Sequence, residues 1–471
     1  MASMTSRTTP RIVLVNPPPF QRREIYDTPN FPRIALASLA AYLRERHWDV
    51  QVLDCKFDLM ELDEAVRRIM QLTPQIIGVT AMTNEIKQAA SLVELLKQQI
   101  PEITALVGGI HVSSLPEQTL REFPAFDFGV LGEGEETLHA WLTQWSGATP
   151  ITTPGVCWID EEKNYHTTGP RPMLPDLDLL PMPAWDLFRP AEFYIIQSSR
   201  GCPFSCQFCT NQWGRKVRAR DPEKVLDELA WLADHMAPPS IFFADEIFTI
   251  HRKRAETLLQ GMIARQLHKR LSWECQTHVN AIDEDLARLM RESNCGMVGL
   301  GIESGNEITL KNMGKGITKQ RILDAAQALK QAKLPFTSFF ILGQPDETPN
   351  SARETVRFAV ELNPTVPVFG IMVPYPGTRI WHMMEQGEGG YIRTTSDWND
   401  FNKQIGNAVT FVGISRRQME WMQLLGYLKV FIYNGRILDL MRFARTYYKT
   451  GLAVLKKILL SLTSPGRQTQ P

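Results

Sequence analysis

Cys202, Cys206 and Cys209 fall within eight residues of a 471-residue chain that holds seven cysteines in all. They sit in RGCPFSCQFCTNQWGRK (200–216), just after the short apolar run FYIIQSS, and Gly201 and Pro203 punctuate the stretch as a loop. The spacing C-x3-C-x2-C has no second cysteine pair to complete an ordinary zinc site. Three thiolates from one tight loop suit three corners of an iron–sulfur cubane, whose fourth iron is then open to another molecule. An unrelated loop or a partial zinc site is the alternative. Cys55, Cys157, Cys275 and Cys295 read as small buried hydrophobes. So few cysteines point to a reducing compartment with thiols reserved for something other than disulfides.

The cysteine spacing, with Phe208 between the last two, resembles the radical S-adenosylmethionine (SAM) superfamily. The resemblance implies a [4Fe-4S] cluster on Cys202, Cys206 and Cys209, SAM bound to the open iron, and its cleavage to a 5′-deoxyadenosyl radical. It also implies a run of β/α units after the cysteines, with ligand contacts at the strand ends. Such units follow. SIFFADEIFT (240–249) is a strand behind the helix DPEKVLDELAWLADHM, with Asp221 and Pro222 at its start. LSWECQTHVN (271–280), GMVGLGIESG (296–305), PFTSFFILGQPDET (335–348) and TVPVFGIMVPYPGT (365–378) continue the series, with helices between.

Carried over position by position, the resemblance assigns the SAM amino group to Asp245 or Glu246, where relatives often read G-G-E. Glu303 and Ser304 match the ribose-contacting strand end, and the Phe208 backbone matches the adenine contact. His278 or a neighbour stands where many relatives have arginine. GQPDET resembles GxPGET, with Asp346 in place of a glycine.

The first 150 residues are a second β/α series: strands in 11–20, 74–83, 103–113 and 126–137, a helix followed by a strand in 34–54, and helices near 61–72, 85–100 and 116–122. Strands this apolar imply a parallel sheet covered on both faces, with ligands beyond the carboxyl ends. Those ends carry Asn16, Thr80, Thr83, Gly108, Gly109, His111, Gly132, Glu133 and Gly134. NPPPF after the first strand is not a dinucleotide-binding loop. Instead VNPP, VGGIHVS and LGEGEET resemble the cobalamin-binding domain of B12-dependent radical SAM proteins, the likeness running over about residues 9–400 with the core. The motif D-x-H-x-x-G is missing, because Cys55 and Lys56 follow Asp54. The resemblance therefore implies base-off cobalamin without a lower histidine ligand. A degenerate domain that holds no cobalamin is the alternative.

The expected architecture is α/β. A doubly wound parallel-sheet domain (9–150) is followed by a proline-rich linker (151–190), a partial β/α barrel (191–405) and a helical C-terminal region (406–471). That last region carries six basic residues against one acid between Arg436 and Lys457. It reads as a helical cap over the barrel or as a peripheral membrane contact. Formal net charge is zero, with no whole-chain attraction for nucleic acid. With neither a signal-peptide layout nor a spanning apolar stretch, a cytoplasmic location is expected.

Three functions stay open: methylation of an unactivated carbon of a small molecule, the favoured one; non-methylating oxidation or cyclisation of a tetrapyrrole or lipid-like substrate; and non-catalytic B12/SAM binding. An electron donor such as flavodoxin or ferredoxin is implied by the first two.

Overall fold

Apolar side chains along the first strand divide between two layers. Ile12 and Leu14 join one hydrophobic cluster and Val13 and Val15 another, as period-2 alternation requires of a strand buried on both faces. The computed structural model describes residues 10–19, 31–145, 151–402 and 408–446.

The N-terminal sheet comprises β1 (Arg11–Asn16), β2 (Asp49–Asp54), β3 (Ile76–Thr80), β4 (Thr104–Gly108), β5 (Phe128–Val130), β6 (Val156–Ile159) and β7 (Tyr165–Thr167). Their spatial order is β2-β1-β3-β4-β5-β6-β7. The first five are parallel, and β6 and β7 add antiparallel. Strand order reverses between β1 and β3, so the crevice beyond Asn16 and Thr80 is the topological switch point of a doubly wound sheet.

Two expectations need correcting here. Residues 151–170 are not linker: the β6–β7 hairpin extends the sheet, and Gly129 pairs with Cys157 in register. Only the proline-rich part beyond is irregular, with short turns at Leu177–Leu179 and Trp185–Leu187. The strand expected over 103–113 stops at Gly108, and Ile110–Ser114 is a short helix that carries His111.

The second sheet uses β8 (Phe193–Ile196), β11 (Ser240–Phe243), β12 (Ser272–Thr277), β13 (Cys295–Glu303), β14 (Phe336–Leu342) and β15 (Val366–Ile371) in chain order, all parallel. Between β8 and β11, β9 (Ser199–Arg200) and β10 (Arg218–Ala219) pair antiparallel at the two ends of the cysteine loop. A last hairpin, β16 (Tyr391–Arg393) with β17 (Val409–Phe411), follows the barrel strands. Asp221 caps the helix Pro222–His235 through Glu223 N, as its sequence predicts.

The helix Arg416–Tyr433 covers the free edge of β15. Tyr427 Oη accepts from Phe369 N at 3.2 Å, and Gln423 Nε2 donates to Phe369 O at 2.5 Å. These bonds fill ladder positions that an edge strand otherwise leaves open. The helix thus guards an edge, and near its start Met419 packs with Leu342 and Ile371, the last residues of β14 and β15. The basic stretch expected to touch a membrane lies, beyond Thr446, outside the described residues. Among those described, no helix is long and apolar enough to cross a membrane.

The two halves share cores. One cluster runs from Ile12 and Trp141 through Trp185 to Phe243 and Val430, and the other joins Val107 and Val112 to Trp381 and Trp398.

Candidate functional site between the two sheets

The carboxyl ends of the two sheets face each other. A Cβ at Gly377, after β15, would lie 2.9 Å from Ser114 Oγ, after β4. Glu133, after β5, reaches Arg200, after β8, at 3.0 Å.

The cysteine loop is shaped by its backbone. Cys202 N donates to Gly214 O at 3.0 Å, Cys209 N to Cys206 O at 3.1 Å, and Asn211 Nδ2 to Cys202 O at 3.1 Å. Gly201 has φ +107°, and any Cβ there would run into the Lys216 carbonyl, so glycine is required. All three cysteines are free thiols; Cys202 and Cys206 are half-buried and Cys209 is exposed. Burial pushes the Cys206 thiol up to about 11, against the opposing pull of Lys315, and neighbouring Cys209 and Cys202 add to the rise. Among the described residues no three His, Cys, Asp or Glu side chains converge on a single metal ion. A cluster whose thiolates bind separate irons does not ask for that convergence. Three free thiols on one loop fit it.

Beneath the loop the two candidate acids separate. Asp245 is 2% exposed and accepts four bonds at 2.6–3.0 Å, from Ser198 N, Ser198 Oγ, Ser199 N and Ser199 Oγ. Its oxygens are used up in holding the chain that leads into the cysteine loop. Among the described residues the one other residue that donates to Glu246 is Gly201, through its N at 3.1 Å, and burial, reinforced by Asp245, pushes its carboxyl up to about 7. Glu246 is therefore the acid with an oxygen to offer.

Glu303 and Ser304 also part company. A register shift at the end of β13 puts Glu303 at φ +67°, and its Oε1 meets Lys315 Nζ at 2.5 Å. Ser304 is fully buried; its Oγ bonds Thr355 Oγ1 at 3.1 Å and accepts from Asn306 N at 3.1 Å, facing away into the helix Pro349–Leu362. Lys315 is a residue that sequence reasoning missed. It has no motif, only flanking Gly314 and Gly316 with positive φ, and it also donates to Gly301 O at 2.7 Å. His278 is held by the loop itself: Phe204 stacks on it with centroids 4.0 Å apart, and burial lowers its ring to about 4. Phe208 is half-buried, packed against both hydrophobic clusters. Asp346 takes φ +55°, the left-handed conformation a glycine would adopt there, so GQPDET keeps a tight turn.

On the N-terminal sheet, Gly108 and Gly132 border open space: a Cβ at either would meet nothing within 4 Å. That is the cradle a large ligand asks of a strand end. Gly109 is different. Its φ is +105° and a Cβ would lie 2.6 Å from Ala81 O, so its glycine serves the chain's own packing. A Cβ at Gly134 would meet Leu39 at 3.2 Å. Asn16 is fully buried; its Nδ2 donates to Asp54 Oδ1 at 2.7 Å, while among the described residues its own Oδ1 has no partner. Thr83 is buried and Thr80 half-buried. Beside them Lys56 Nζ meets Glu85 Oε1 at 2.8 Å, a buried pair not foreseen. His111 lies on the short helix Ile110–Ser114 and is fully buried. Among the described residues neither buried ring nitrogen has a partner, the ring stands edge-on to Trp398 at 4.7 Å, and burial lowers it to about 4. Glu133 faces no open space; its carboxylate is spent on Arg200, Arg218 and Leu174 N.

Comparison with known proteins decides the family. Residues 28–142 match the B12 binding domain and residues 196–359 the radical SAM superfamily. An uncharacterized methyltransferase of Pyrococcus horikoshii is 32% identical over 83% of this chain and 86% of its own. The chain belongs to the cobalamin-dependent radical SAM family. The anaerobic magnesium-protoporphyrin IX monomethyl ester cyclase of Rubrivivax gelatinosus is 31% identical over 74% of this chain and 65% of its own. The radical SAM methyltransferase TsrM of Kitasatospora setae, solved with tryptophan and a SAM analogue, shares the fold. It does so at a TM-score of 0.69 and 21% identity, over 82% of this chain and 78% of that one. As a member of this family the protein is an enzyme whose cofactors are a [4Fe-4S] cluster, SAM and cobalamin.

Proposed function

We propose that this enzyme methylates an unactivated carbon of a small molecule bound between the two sheets. The observation that carries the reading is the facing of two sets of strand ends: a loop of three free thiols on one, and an open glycine cradle on the other. The cluster, SAM and cobalamin, when bound, supply electron transfer, radical formation and methyl transfer.

The chain's own residues position and shield. Cys202, Cys206 and Cys209 would hold the cluster. Glu246, with its spare oxygen, would take the SAM ammonium, while Asp245 braces the strand above it. Glu303, aimed by its contact with Lys315, would take the ribose hydroxyls, and the Phe208 backbone the adenine. Ser304 would act through the packing of that strand end. Gly108 and Gly132 would admit the corrin, flanked by Asn16, Thr80 and Thr83; Gly109 and Gly134 shape the loops around it. Buried Trp381, Trp398 and Phe401 pack in the same hydrophobic cluster as Val107 and Val112 on this side. A flavodoxin- or ferredoxin-type electron donor belongs to the same reading.

Likeness to the cyclase keeps a second reading, radical oxidation or cyclisation without methylation. The test is anaerobic reconstitution with iron, sulfide and hydroxocobalamin, then incubation with SAM and reductant. Methylation releases S-adenosylhomocysteine alongside 5′-deoxyadenosine; 5′-deoxyadenosine alone favours the cyclase reading. Protein that takes up neither iron nor cobalamin overturns both.

A further inference from the structure

Four buried charges bridge the two halves of the molecule at the root of the cysteine loop. Arg200 and Arg218 face each other across the β9–β10 pair, so the chain enters and leaves residues 201–217 through adjacent arginines. Two guanidinium groups so close repel unless an anion lies between them. Glu133 is that anion. Arg218 Nη1 donates to both its oxygens at 2.9 Å, and Arg200 Nη1 to its Oε1 at 3.0 Å. Arg200 Nη2 reaches on to Glu135 Oε1 at 2.7 Å, itself held by Ser38 Oγ at 3.0 Å. All four side chains are 5–8% exposed.

The two glutamates come from the other domain. They begin the helix Gly134–Gln144 directly after β5, next to open Gly132. Leu174 closes the unit: its N donates to Glu133 Oε2 and its carbonyl accepts from Arg218 Nη1, both at 2.7 Å. Nothing in a structure that needed these acids only for the helix start would draw both arginines to them.

We propose that Glu133 is a positioning residue for the cluster loop: its carboxylate clamps both ends of residues 201–217 to the ligand end of the N-terminal sheet, so loop and strand ends hold one arrangement. The proposal rests on reading Cys202, Cys206 and Cys209 as cluster ligands, and it makes the β5 loop part of the machinery that sets their geometry. An amide at this place keeps the shape but leaves two buried guanidiniums facing one carboxylate, Glu135, which Arg218 does not touch.

The experiment is amide hydrogen exchange and paramagnetic resonance on the full chain, before and after cluster reconstitution, for wild type, Glu133→Gln and Glu135→Gln. Expected for Glu133→Gln is exchange across 201–217 faster by about tenfold or more, while β1, β3 and β4 stay protected. A broadened or shifted signal from the reduced cluster should accompany it. Glu135→Gln, which frees only one arm of Arg200, should fall between. A folded Glu133→Gln with wild-type exchange and wild-type resonance overturns the proposal. If Glu133→Gln does not fold, Arg218→Lys, which keeps the charge and loses the grip on two oxygens, replaces it, and unchanged exchange there is equally fatal. Cys206→Ala separates the two claims: if it retains full cluster iron the cysteine reading fails, whereas the exchange result still judges the clamp.

Discussion

Glu303→Gln tests the SAM end of the site through a pair the sequence did not reveal. Glu303 Oε1 lies 2.5 Å from Lys315 Nζ, with the side chains 7% and 10% exposed. Removing the carboxylate strands a buried ammonium whose remaining partner is Gly301 O at 2.7 Å. Breaking one side of a buried pair costs about 3–5 kcal/mol. In a barrel of this size that lowers the unfolding temperature by about 10 °C. Separately, a lost charged hydrogen bond to SAM is worth about 1.5–3 kcal/mol, roughly ten- to a hundredfold in Kd. The two effects are separable in Glu303→Gln/Lys315→Met, which removes both charges. That variant should regain most of the stability, since apolar replacement of a buried pair is often neutral. Its SAM affinity should stay low. Calorimetric unfolding and equilibrium dialysis of SAM on reconstituted protein give both numbers. Wild-type affinity in Glu303→Gln, or recovery of affinity together with stability in the double variant, would refute the reasoning.

Gly108→Val should fold normally and lose most cobalamin on reconstitution, whereas Gly109→Val should be destabilised because its Cβ meets the Ala81 carbonyl; absorbance and thermal unfolding distinguish them. If Glu246 must be ionised to take the SAM ammonium, a carboxyl near 7 makes affinity fall about tenfold from pH 8 to pH 6. Dialysis across that range checks it, and Glu246→Gln should flatten the curve at the weak end. His111 titrates near 4 when folded, below its ordinary 6.5, so the unfolded chain binds its proton first as pH falls. Its contribution to stability is present above 6.5 and is lost between 6.5 and 4, by about 3 kcal/mol at the low end. His111→Phe keeps a ring against Trp398 and should flatten the stability profile over that window; an unchanged slope contradicts it.

The cysteine loop, the order of β/α units and the capped helix Pro222–His235 were legible in the sequence, because each is a local pattern: spacing, periodicity, or a cap within a few residues of what it caps. So were the carboxyl ends of the parallel strands, because alternation and apolar runs place the strands and a covered parallel sheet offers its carboxyl edge to ligands whatever its residues. What individual side chains do there was decided only by the tertiary structure. Asp245 and Glu246 are neighbours of the same charge, yet one is saturated by Ser198 and Ser199, 47 and 46 residues away, and the other is left with a free oxygen. Glu133 sits in a glycine-rich strand end that suits a ligand, but its partners Arg200 and Arg218 are 67 and 85 residues on. The β6–β7 hairpin was hidden for a related reason: two strands of four and three residues carry too little periodicity to announce themselves until the edge of β5 offers them hydrogen bonds. Composition and spacing fix which groups are available. Which of them remain free to meet a ligand depends on what the fold has already set against each one, and a buried carboxylate takes the nearest donors that folding brings within reach.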